Sequence, residues 1–305
     1  MKRLCLICLA LALLLCGCRG QVATGPEASP TDSPAPTPVL AFFGASNQPW
    51  CQDLAEGVGD WCGREGWELI EYDCVGLDST QAVQVDDLLR SGGADLAVLC
   101  AVGSQEELEA RTDALTKGGV ATVTLSHRPM DKPEKALCHL GPDREGFWSA
   151  ASVFFRWEEE KAQVLLLRDT EDDPLEEGAA QALEATGAAV LEEVYTWGDV
   201  GYAQMFLALA LDNHSGASGV LCFSRTGALG AREALDEAGR DDVRLLCLDD
   251  TKALRELVEQ GELDALATVN ARALTERLEE ALTQAAQGQT PESKPLGVEL
   301  WEGET

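Results

Sequence analysis

The sequence predicts an α/β protein built on parallel β-sheets, and two patterns support this prediction. Short apolar segments alternate along the chain with longer segments in which apolar residues recur at helical spacing. The short segments are apolar throughout, which is typical of strands in a parallel sheet covered by helices on both faces. At 305 residues, with 45% hydrophobic side chains, the chain exceeds the usual size of one such sheet. We therefore expect two Rossmann-like lobes, each with its own sheet.

The elements are predicted in order along the chain from the same two patterns. Apolar runs predict strands at residues 39–43, 67–72, 95–100, 120–125, 164–167, 190–195, 219–223, 243–248 and 266–269. The segments with helical spacing predict helices at residues 49–65, 80–90, 104–117, 147–157, 174–186, 202–211, 227–238, 253–260 and 271–287.

The N-terminal segment has the parts of a secretory signal. Lys2-Arg3 precede about a dozen apolar residues, which is short for a membrane span. The stretch Leu15-Cys16-Gly17-Cys18 resembles a bacterial lipobox. This resemblance implies that residues 1–17 form a signal peptide and that Cys18 becomes the lipidated first residue. Cys16 is a poorer candidate because the large Leu15 would occupy the cleavage position. A plain secreted protein cut nearby is the alternative.

The next segment, residues 18–38, has the composition of a tether. It contains five prolines among Ser, Thr, Ala and Gly residues and has no periodic apolar face. Such a segment is extended and semi-rigid, and at roughly 3 Å per residue it spans about 60 Å. We therefore expect an extracytoplasmic domain that is held by a lipid anchor at the outer face of the bacterial cell membrane.

Charge and motif content exclude several classes of function. The chain has 53 acidic and 23 basic residues, a formal charge of −30, which argues against binding of nucleic acid. The sequence has no nucleophile elbow, phosphate loop or Gly-rich dinucleotide turn, so neither an enzyme nor a cofactor is expected. The three histidines are scattered and are interpreted as surface or packing residues rather than metal ligands; they are His127, His139 and His214.

Functional residues of a parallel α/β sheet lie in the loops beyond the carboxyl ends of the strands. These loops supply a polar set with two tryptophans and little that is suited to covalent chemistry. The candidate ligand-binding residues are Gln48, Trp50, Ser126, Arg128, Trp197, Ser224, Arg225, Asp249 and Asn270.

The order of motifs resembles the type I periplasmic binding proteins, whose fold is shared by the ligand domains of LacI-type repressors. The galactose/glucose-binding branch is the most similar. The resemblance rests on "GVLCFSRTGALGAREALDEAGRDDVRLLCLDD" followed by "LRELVEQGELDALATVN", and on "HLGPDREGFWSAA". It implies two lobes joined by a three-segment hinge. The N-terminal lobe would comprise residues 39–141 and 271–291, and the C-terminal lobe residues 142–270 and 292–305.

The resemblance also implies roles for four residues. Asp249 and Asn270 match positions that hydrogen-bond sugar hydroxyls, while Trp50 and Trp197 match aromatic residues that cover the two faces of a sugar ring. This suits a sugar, which offers apolar C–H faces and polar hydroxyls. Other interpretations stay open: Asp249 as a helix cap, Asn270 as a turn residue, and the two indoles as packing residues.

The sequence departs from the family pattern at three places, which leaves the ligand open. Ser126 stands where the branch has Asn, Leu175 where an Arg usually grips the ligand, and Ser224-Arg225 where Asn-Asp is common. A contact from Arg128 or Arg225 would indicate an acidic or differently hydroxylated ligand.

Together these features predict a solute-binding lipoprotein. It would capture a small ligand, most simply a monosaccharide, between two lobes and deliver it to the permease of an ABC importer. The alternative is a ligand-sensing lipoprotein that presents a small molecule to a membrane receptor or kinase. Apart from the lipid anchor, no contact with the membrane is expected.

Overall fold

The first of two β-sheets has five parallel strands. The computed structural model describes residues 36–156, 161–169 and 175–303. The strand order of the first sheet is β2-β1-β3-β4-β5, and every pair is parallel. Its strands are β1 (Val39–Gly44), β2 (Glu68–Asp73), β3 (Leu96–Cys100), β4 (Ala121–Leu125) and β5 (Cys138–Leu140).

The second sheet has six strands in the order β11-β10-β9-β8-β6-β7. Its strands are parallel except for the last, which pairs antiparallel with β10. The strands are β6 (Gln163–Arg168), β7 (Ala189–Tyr195), β8 (Gly219–Cys222), β9 (Arg244–Cys247), β10 (Ala265–Val269) and β11 (Val298–Trp301). Both sheets belong to one compact unit, Thr37–Thr305. The predicted α/β fold with two parallel sheets is confirmed.

Helices cover both faces of each sheet. They are α1 (Pro49–Glu65), α2 (Asp78–Ser91), α3 (Gln105–Lys117), α4 (Arg144–Phe154), α5 (Ala179–Ala185), α6 (Val200–Asn213), α7 (Arg225–Ala238), α8 (Lys252–Glu259) and α9 (Ala271–Ala286).

The core shows why the strands are apolar throughout. In β1, Leu40 and Phe42 pack with α1 and α9 on one face, while Ala41 and Phe43 pack with α2 and α3 on the other. Side chains alternate between the two faces of a strand, so a strand covered on both faces needs an apolar residue at every position. The second sheet is covered in the same way.

Two predicted helices differ from the structure at their ends. The helix predicted at 147–157 begins earlier, at Arg144, because the carboxylate of Asp143 accepts a hydrogen bond from the backbone N–H of Gly146 (2.9 Å) and caps the helix. The helix predicted at 174–186 is only Ala179–Ala185, preceded by Gly178 in the left-handed conformation (φ 83°). Residue 157 and residue 174 lie outside the described residues.

Two short strands, β5 and β11, were not predicted. The three residues of β5 include a histidine, and β11 reads Val-Glu-Leu-Trp, so neither forms the continuous apolar run on which the strand predictions depend.

The chain passes between the sheets at three places. It leaves the first sheet after β5, returns after β10 through α9, and crosses again before β11. The first and third crossings run side by side, since Pro142 bridges to Leu296 and the N–H of Leu296 donates to the carbonyl of Gly141 (2.9 Å).

The predicted signal peptide and most of the predicted tether lie outside the described residues. Among the residues that are described, no helix is both long and apolar enough to cross a membrane.

Candidate functional site

Loops at the carboxyl ends of the two sheets meet at one place. His127 follows β4 of the first sheet and Asp249 follows β9 of the second, and Nε2 of His127 lies 3.4 Å from Oδ1 of Asp249. The His127 ring also lies 5.5 Å, centroid to centroid, from the ring of Trp50, with the planes inclined by 35°. The charge of the adjacent Arg128 acts on Asp249. We call Trp50, His127, Arg128 and Asp249 the cleft cluster.

Trp50 combines complete burial with an unused polar group. It is the second residue of α1, directly after Pro49, and its side chain is 1% exposed within the core of the first sheet. Its indole N–H has no hydrogen-bond acceptor in the part of the chain that the structure describes. A buried donor without an acceptor costs about 1–3 kcal/mol. An oxygen atom beside this N–H would therefore be stabilising.

Asp249 carries a carboxylate that the protein keeps ionised. Burial alone would raise its pKa, but the hydrogen bond and charge of His127, the charge of Arg128 and the N–H of Asp250 lower it below the usual value. Asp249 does not cap α8, because the Thr251 hydroxyl accepts the capping hydrogen bond instead. The carboxylate is therefore available to the cleft cluster.

The neighbouring Asp250 holds this loop in place. Its side chain is 2% exposed and accepts two hydrogen bonds from Arg255 (2.7 Å each) and one from the Thr268 hydroxyl (2.6 Å). Both carboxylate oxygens are thus used within the second sheet. The two adjacent acids therefore have different roles: Asp250 fixes the loop, and Asp249 faces the cleft.

Ser126 is buried and hydrogen-bonded within the protein. Its hydroxyl donates to the carbonyl of Arg128 (2.6 Å), so its oxygen accepts from Nε2 of His139 (3.1 Å). The other ring nitrogen of His139 lies 3.0 Å from the Thr124 hydroxyl, and burial lowers the pKa of His139 to about 4. A Cβ at Gly141 would lie 2.4 Å from the Ser126 hydroxyl oxygen, so this network needs glycine there. Ser126 therefore positions the loop of Arg128.

Three other candidates lie at helix ends. The hydroxyl of Ser224 and the side-chain oxygen of Asn270 each accept the backbone N–H three residues later, which makes them N-caps. The Asn270 amide also donates to Glu299 (2.8 Å), which favours its interpretation as a turn residue. Arg225 is exposed on the first turn of α7, and Gln48 precedes α1 without capping it through its side chain.

The structure places Trp197 away from the cleft cluster. Trp197 is 63% exposed, with φ of 48°, and packs edge-to-face on Tyr202 and Phe206 of α6, at 5.8 and 5.7 Å. It follows the edge strand β7, which stands three positions from β9. Strands are about 4.8 Å apart, so this is about 14 Å from the strand that carries Asp249. The ring of Trp50 faces His127 instead of a second indole.

His127 is the residue of the site that sequence reasoning missed. The structure places it between loops of the two sheets, where it contacts Trp50 and Asp249. The available signal was its position directly after an apolar strand, between the two candidates Ser126 and Arg128.

A cavity of about 640 Å³ adjoins the cleft cluster at Arg128. This size is typical of small-molecule sites. Loops that follow β3 and β4 line it, together with the first and third crossings and Leu175, which follows β6. The lining includes four basic residues, Arg128, Lys132, Arg144 and Lys294, and three acidic ones, Asp131, Asp143 and Glu145.

Within the described residues, no group of three His, Cys, Asp or Glu side chains is arranged to hold a metal ion.

The fold and the cleft between its sheets define a two-sheet binding protein. A family model described as a periplasmic binding protein domain matches residues 39–290. The chain therefore belongs to the periplasmic binding protein family. Comparison with curated proteins finds no match.

Solved structures share this fold at low sequence identity. AraP, an arabinose-binding protein from Geobacillus stearothermophilus, superposes with a TM-score of 0.73 at 14% identity, covering 87% of this chain and 97% of that one. A periplasmic ribose ABC transporter structure from Conexibacter woesei gives 0.68 at 14% identity, with 86% and 91% covered. The Caulobacter myo-inositol-binding protein, bound to myo-inositol, gives 0.64 at 19% identity, with 87% and 93% covered.

Proposed function

We propose that this protein is an extracytoplasmic solute-binding protein that holds a small hydroxylated ligand, most simply a monosaccharide, in the cleft between its two sheets. The observation that carries the proposal is the cleft cluster, in which Trp50 and His127 from one sheet meet Asp249 from the other. Membership of the periplasmic binding protein family supports it. The similar structures include an arabinose-binding protein, a myo-inositol-binding protein and a ribose ABC transporter, which agrees with a polyhydroxylated ligand.

The proposed mechanism is closure without covalent chemistry. A ligand that contacts loops of both sheets stabilises the arrangement in which those loops are close together. The crossings at Pro142, Asn270 and residues 291–295 are where the chain would bend. The closed form would then be recognised by the permease of an ABC importer, to which the solute is delivered.

Of the predicted ligand-binding residues, we assign direct contact to Arg128 and Asp249. Asp249 would accept hydrogen bonds from ligand hydroxyls, and Arg128 would donate from the cavity side. Trp50 is buried in the core of the first sheet, so its part is to support His127. Ser126, Ser224 and Asn270 have their main hydrogen bonds within the protein, so their part is to shape the loops.

Ligand titration of the purified domain tests this function. Isothermal titration calorimetry with a panel of pentoses, hexoses, inositols and their acids should find at least one ligand. Asp249→Asn should weaken its binding by about 10- to 100-fold, because a hydrogen bond to a charged group contributes about 1.5–3 kcal/mol. Asp87→Asn is the matched control, since Asp87 is an exposed residue of α2. Equal affinity of both variants would contradict the proposed site, and no binding to the whole panel would contradict the proposed function.

We also propose that Cys18 carries the lipid anchor, with residues 18–38 as tether. Metabolic labelling of producing bacteria with an alkyne fatty acid should label the wild-type chain. Cys18→Ser should abolish the label, while Cys16→Ser should retain it. Label that persists in Cys18→Ser would contradict the assignment.

A further inference from the structure

Helix α6 is apolar on two opposite sides. One side is buried against α7 and the second sheet, through Ala203, Leu207, Ala210 and Leu211. The other side carries Tyr202, Met205 and Leu209, which are 46–54% exposed, and the partly buried Phe206. These four positions have the spacing i, i+3, i+4 and i+7, so they form one line along the helix. A helix that is apolar all round is normally buried on every side.

Trp197 extends this line beyond the start of α6. Its ring packs edge-to-face on Tyr202 and Phe206, and its side chain is 63% exposed. We call Trp197, Tyr202, Met205, Phe206 and Leu209 the α6 stripe. From their exposed fractions, these side chains present on the order of 400 Å² to solvent, which is the size of surface patches that are often functional.

The turn that carries Trp197 does not favour tryptophan. The N–H of Asp199 donates to the carbonyl of Thr196 (3.0 Å). The two residues between them both have positive φ, 48° for Trp197 and 67° for Gly198. Glycine, Asn and Asp suit such positions because they tolerate the left-handed conformation best. Tryptophan therefore weakens the turn and also exposes an indole, a combination that is typical of a functional position.

The two ends of the α6 stripe are acidic. Asp199 stands three positions before Tyr202, Asp212 stands three positions after Leu209, and both acids are exposed. Residues 196–213 contain no lysine or arginine. At 1.5 Å per helical residue, the two acids are about 20 Å apart along the helix. A partner that covers the stripe therefore needs an apolar surface between two basic ends.

The acidic ends argue against two other occupants. In an antiparallel pair of α6 helices from two copies of the chain, Asp199 of each copy would lie near Asp212 of the other. Like charges would then meet at both ends, with no basic residue of the helix to neutralise them. A surface of anionic lipids would be repelled by the same acids and by the formal charge of −30.

We infer that the α6 stripe is a docking surface for a different protein, which covers it with an amphipathic helix whose apolar face has Lys or Arg at both ends. A helix is the expected shape because side chains in i, i+3 and i+4 rows pack into the grooves of a second helix. The stripe follows β7 at the edge of the second sheet, away from Asp249. The inference is therefore independent of the proposed ligand site.

Two synthetic peptides of about 18 residues test the inference with the purified protein. Both carry the same leucine stripe, one with Lys and the other with Glu at its two ends. In calorimetric titrations at near-physiological salt, the Lys peptide should bind about tenfold or more tightly than the Glu peptide. Trp197→Asn should weaken binding of the Lys peptide about tenfold or more, since interface aromatic residues contribute much of the binding energy. Val83→Asn is the control, because Val83 is 57% exposed on α2, and it should leave the affinity unchanged.

A second pair of variants tests the role of charge. Asp199→Asn combined with Asp212→Asn removes both acidic ends, and an asparagine at position 199 can still cap α6. This double variant should reduce the preference for the Lys peptide over the Glu peptide by about three- to tenfold. Asp86→Asn combined with Asp87→Asn is the matched control, since it removes two exposed acids from α2 and should keep the preference.

Stability separates docking from a structural role of the indole. The urea midpoint of Trp197→Asn should equal or exceed that of the wild type, because Asn suits the turn. A lower midpoint would show that the ring supports the fold and would overturn the inference. No binding of the Lys peptide, or equal binding to Trp197→Asn, would overturn it as well.

Two further measurements address the other occupants. A dimer in analytical ultracentrifugation that Trp197→Asn dissociates would make a second copy the occupant. Flotation with phosphatidylglycerol vesicles that Trp197→Asn abolishes would make a membrane the occupant. Either result would overturn the inference, whereas a monomer that does not float supports it. The proposed function is tested separately by the sugar titrations.

Discussion

Asp250→Asn should destabilise the protein far more than the same substitution at Asp242. Both carboxylates accept two hydrogen bonds from one arginine: Asp250 from Arg255, at 2.7 Å each, and Asp242 from Arg240, at 2.8 Å each. They differ in burial, since the side chain of Asp250 is 2% exposed and that of Asp242 is 66% exposed. Comparison of the two substitutions therefore isolates the effect of burial on two otherwise similar ion pairs.

The expected magnitude follows from this difference. Loss of one partner from a buried ion pair costs about 3–5 kcal/mol, whereas exposed pairs contribute about 0–1 kcal/mol. The side chain of Arg255 is 27% exposed, so water solvates part of its charge when the charge of Asp250 is removed. Thr268 also loses its carboxylate acceptor unless the new amide presents its oxygen. We expect a loss of about 2–4 kcal/mol for Asp250→Asn and less than about 1 kcal/mol for Asp242→Asn.

Urea unfolding followed by far-ultraviolet circular dichroism measures both values from the shift of the midpoint. The Asp250 variant should also bind ligand more weakly, because its loop carries Asp249. If the two variants differ by less than about 1 kcal/mol, the contacts of Asp250 do not hold the loop and this reasoning is refuted.

Three further predictions concern other buried residues of the protein. Gly141→Ala should lower the free energy of unfolding by about 1–3 kcal/mol in urea unfolding, because the new Cβ would lie 2.4 Å from the Ser126 oxygen. Gly63→Ala is the control: a Cβ there meets nothing within 4 Å, so alanine should stabilise the helix instead. Burial lowers the pKa of His139 from 6.5 to about 4, so the unfolded chain takes up a proton first as the pH falls. Stability should therefore decrease by about 2 kcal/mol between about pH 7 and pH 5, and His139→Gln should remove this part of the pH dependence. The seven cysteines from Cys51 to Cys247 are buried and unpaired, so they should react with a thiol reagent only after unfolding.

The order of the elements was predictable because both sheets are covered on two faces. Such strands must be apolar throughout, as in "VLAFFG" of β1, so they can be recognised in the sequence without knowing which strands pair with them. Strand β11 was missed because it pairs at an edge, where Glu299 faces outward among apolar neighbours. The predicted helix at 174–186 was too long, since Gly178 takes a left-handed conformation that interrupts the helical pattern.

The position of Trp197 away from the cleft cluster follows from the order of strands across the sheet. Strand β7 follows β6 in sequence, but β8 pairs on the opposite side of β6 and β9 continues from there. The loop after β7 is therefore carried to the edge, while the loop after β9 lies near the middle. Nothing local to Trp197 indicates this distance. The sequence places a residue at the carboxyl end of its strand but leaves its position across the sheet open.

A second ambiguity concerns the polar residue that follows a strand, which either caps the next helix or faces the cleft. Ser224 and Asn270 cap α7 and α9, and each stands directly before the first helical residue. Asp249 stands three positions before α8, and Thr251 takes the cap. One geometric rule separates the cases: a side chain caps only from the residue adjoining the helix. An acid left further upstream, with Asp250 and Thr251 already fixing the loop, is free to act in the cleft. For this reason Asp249 is the predicted ligand-binding residue whose substitution tests the site most directly.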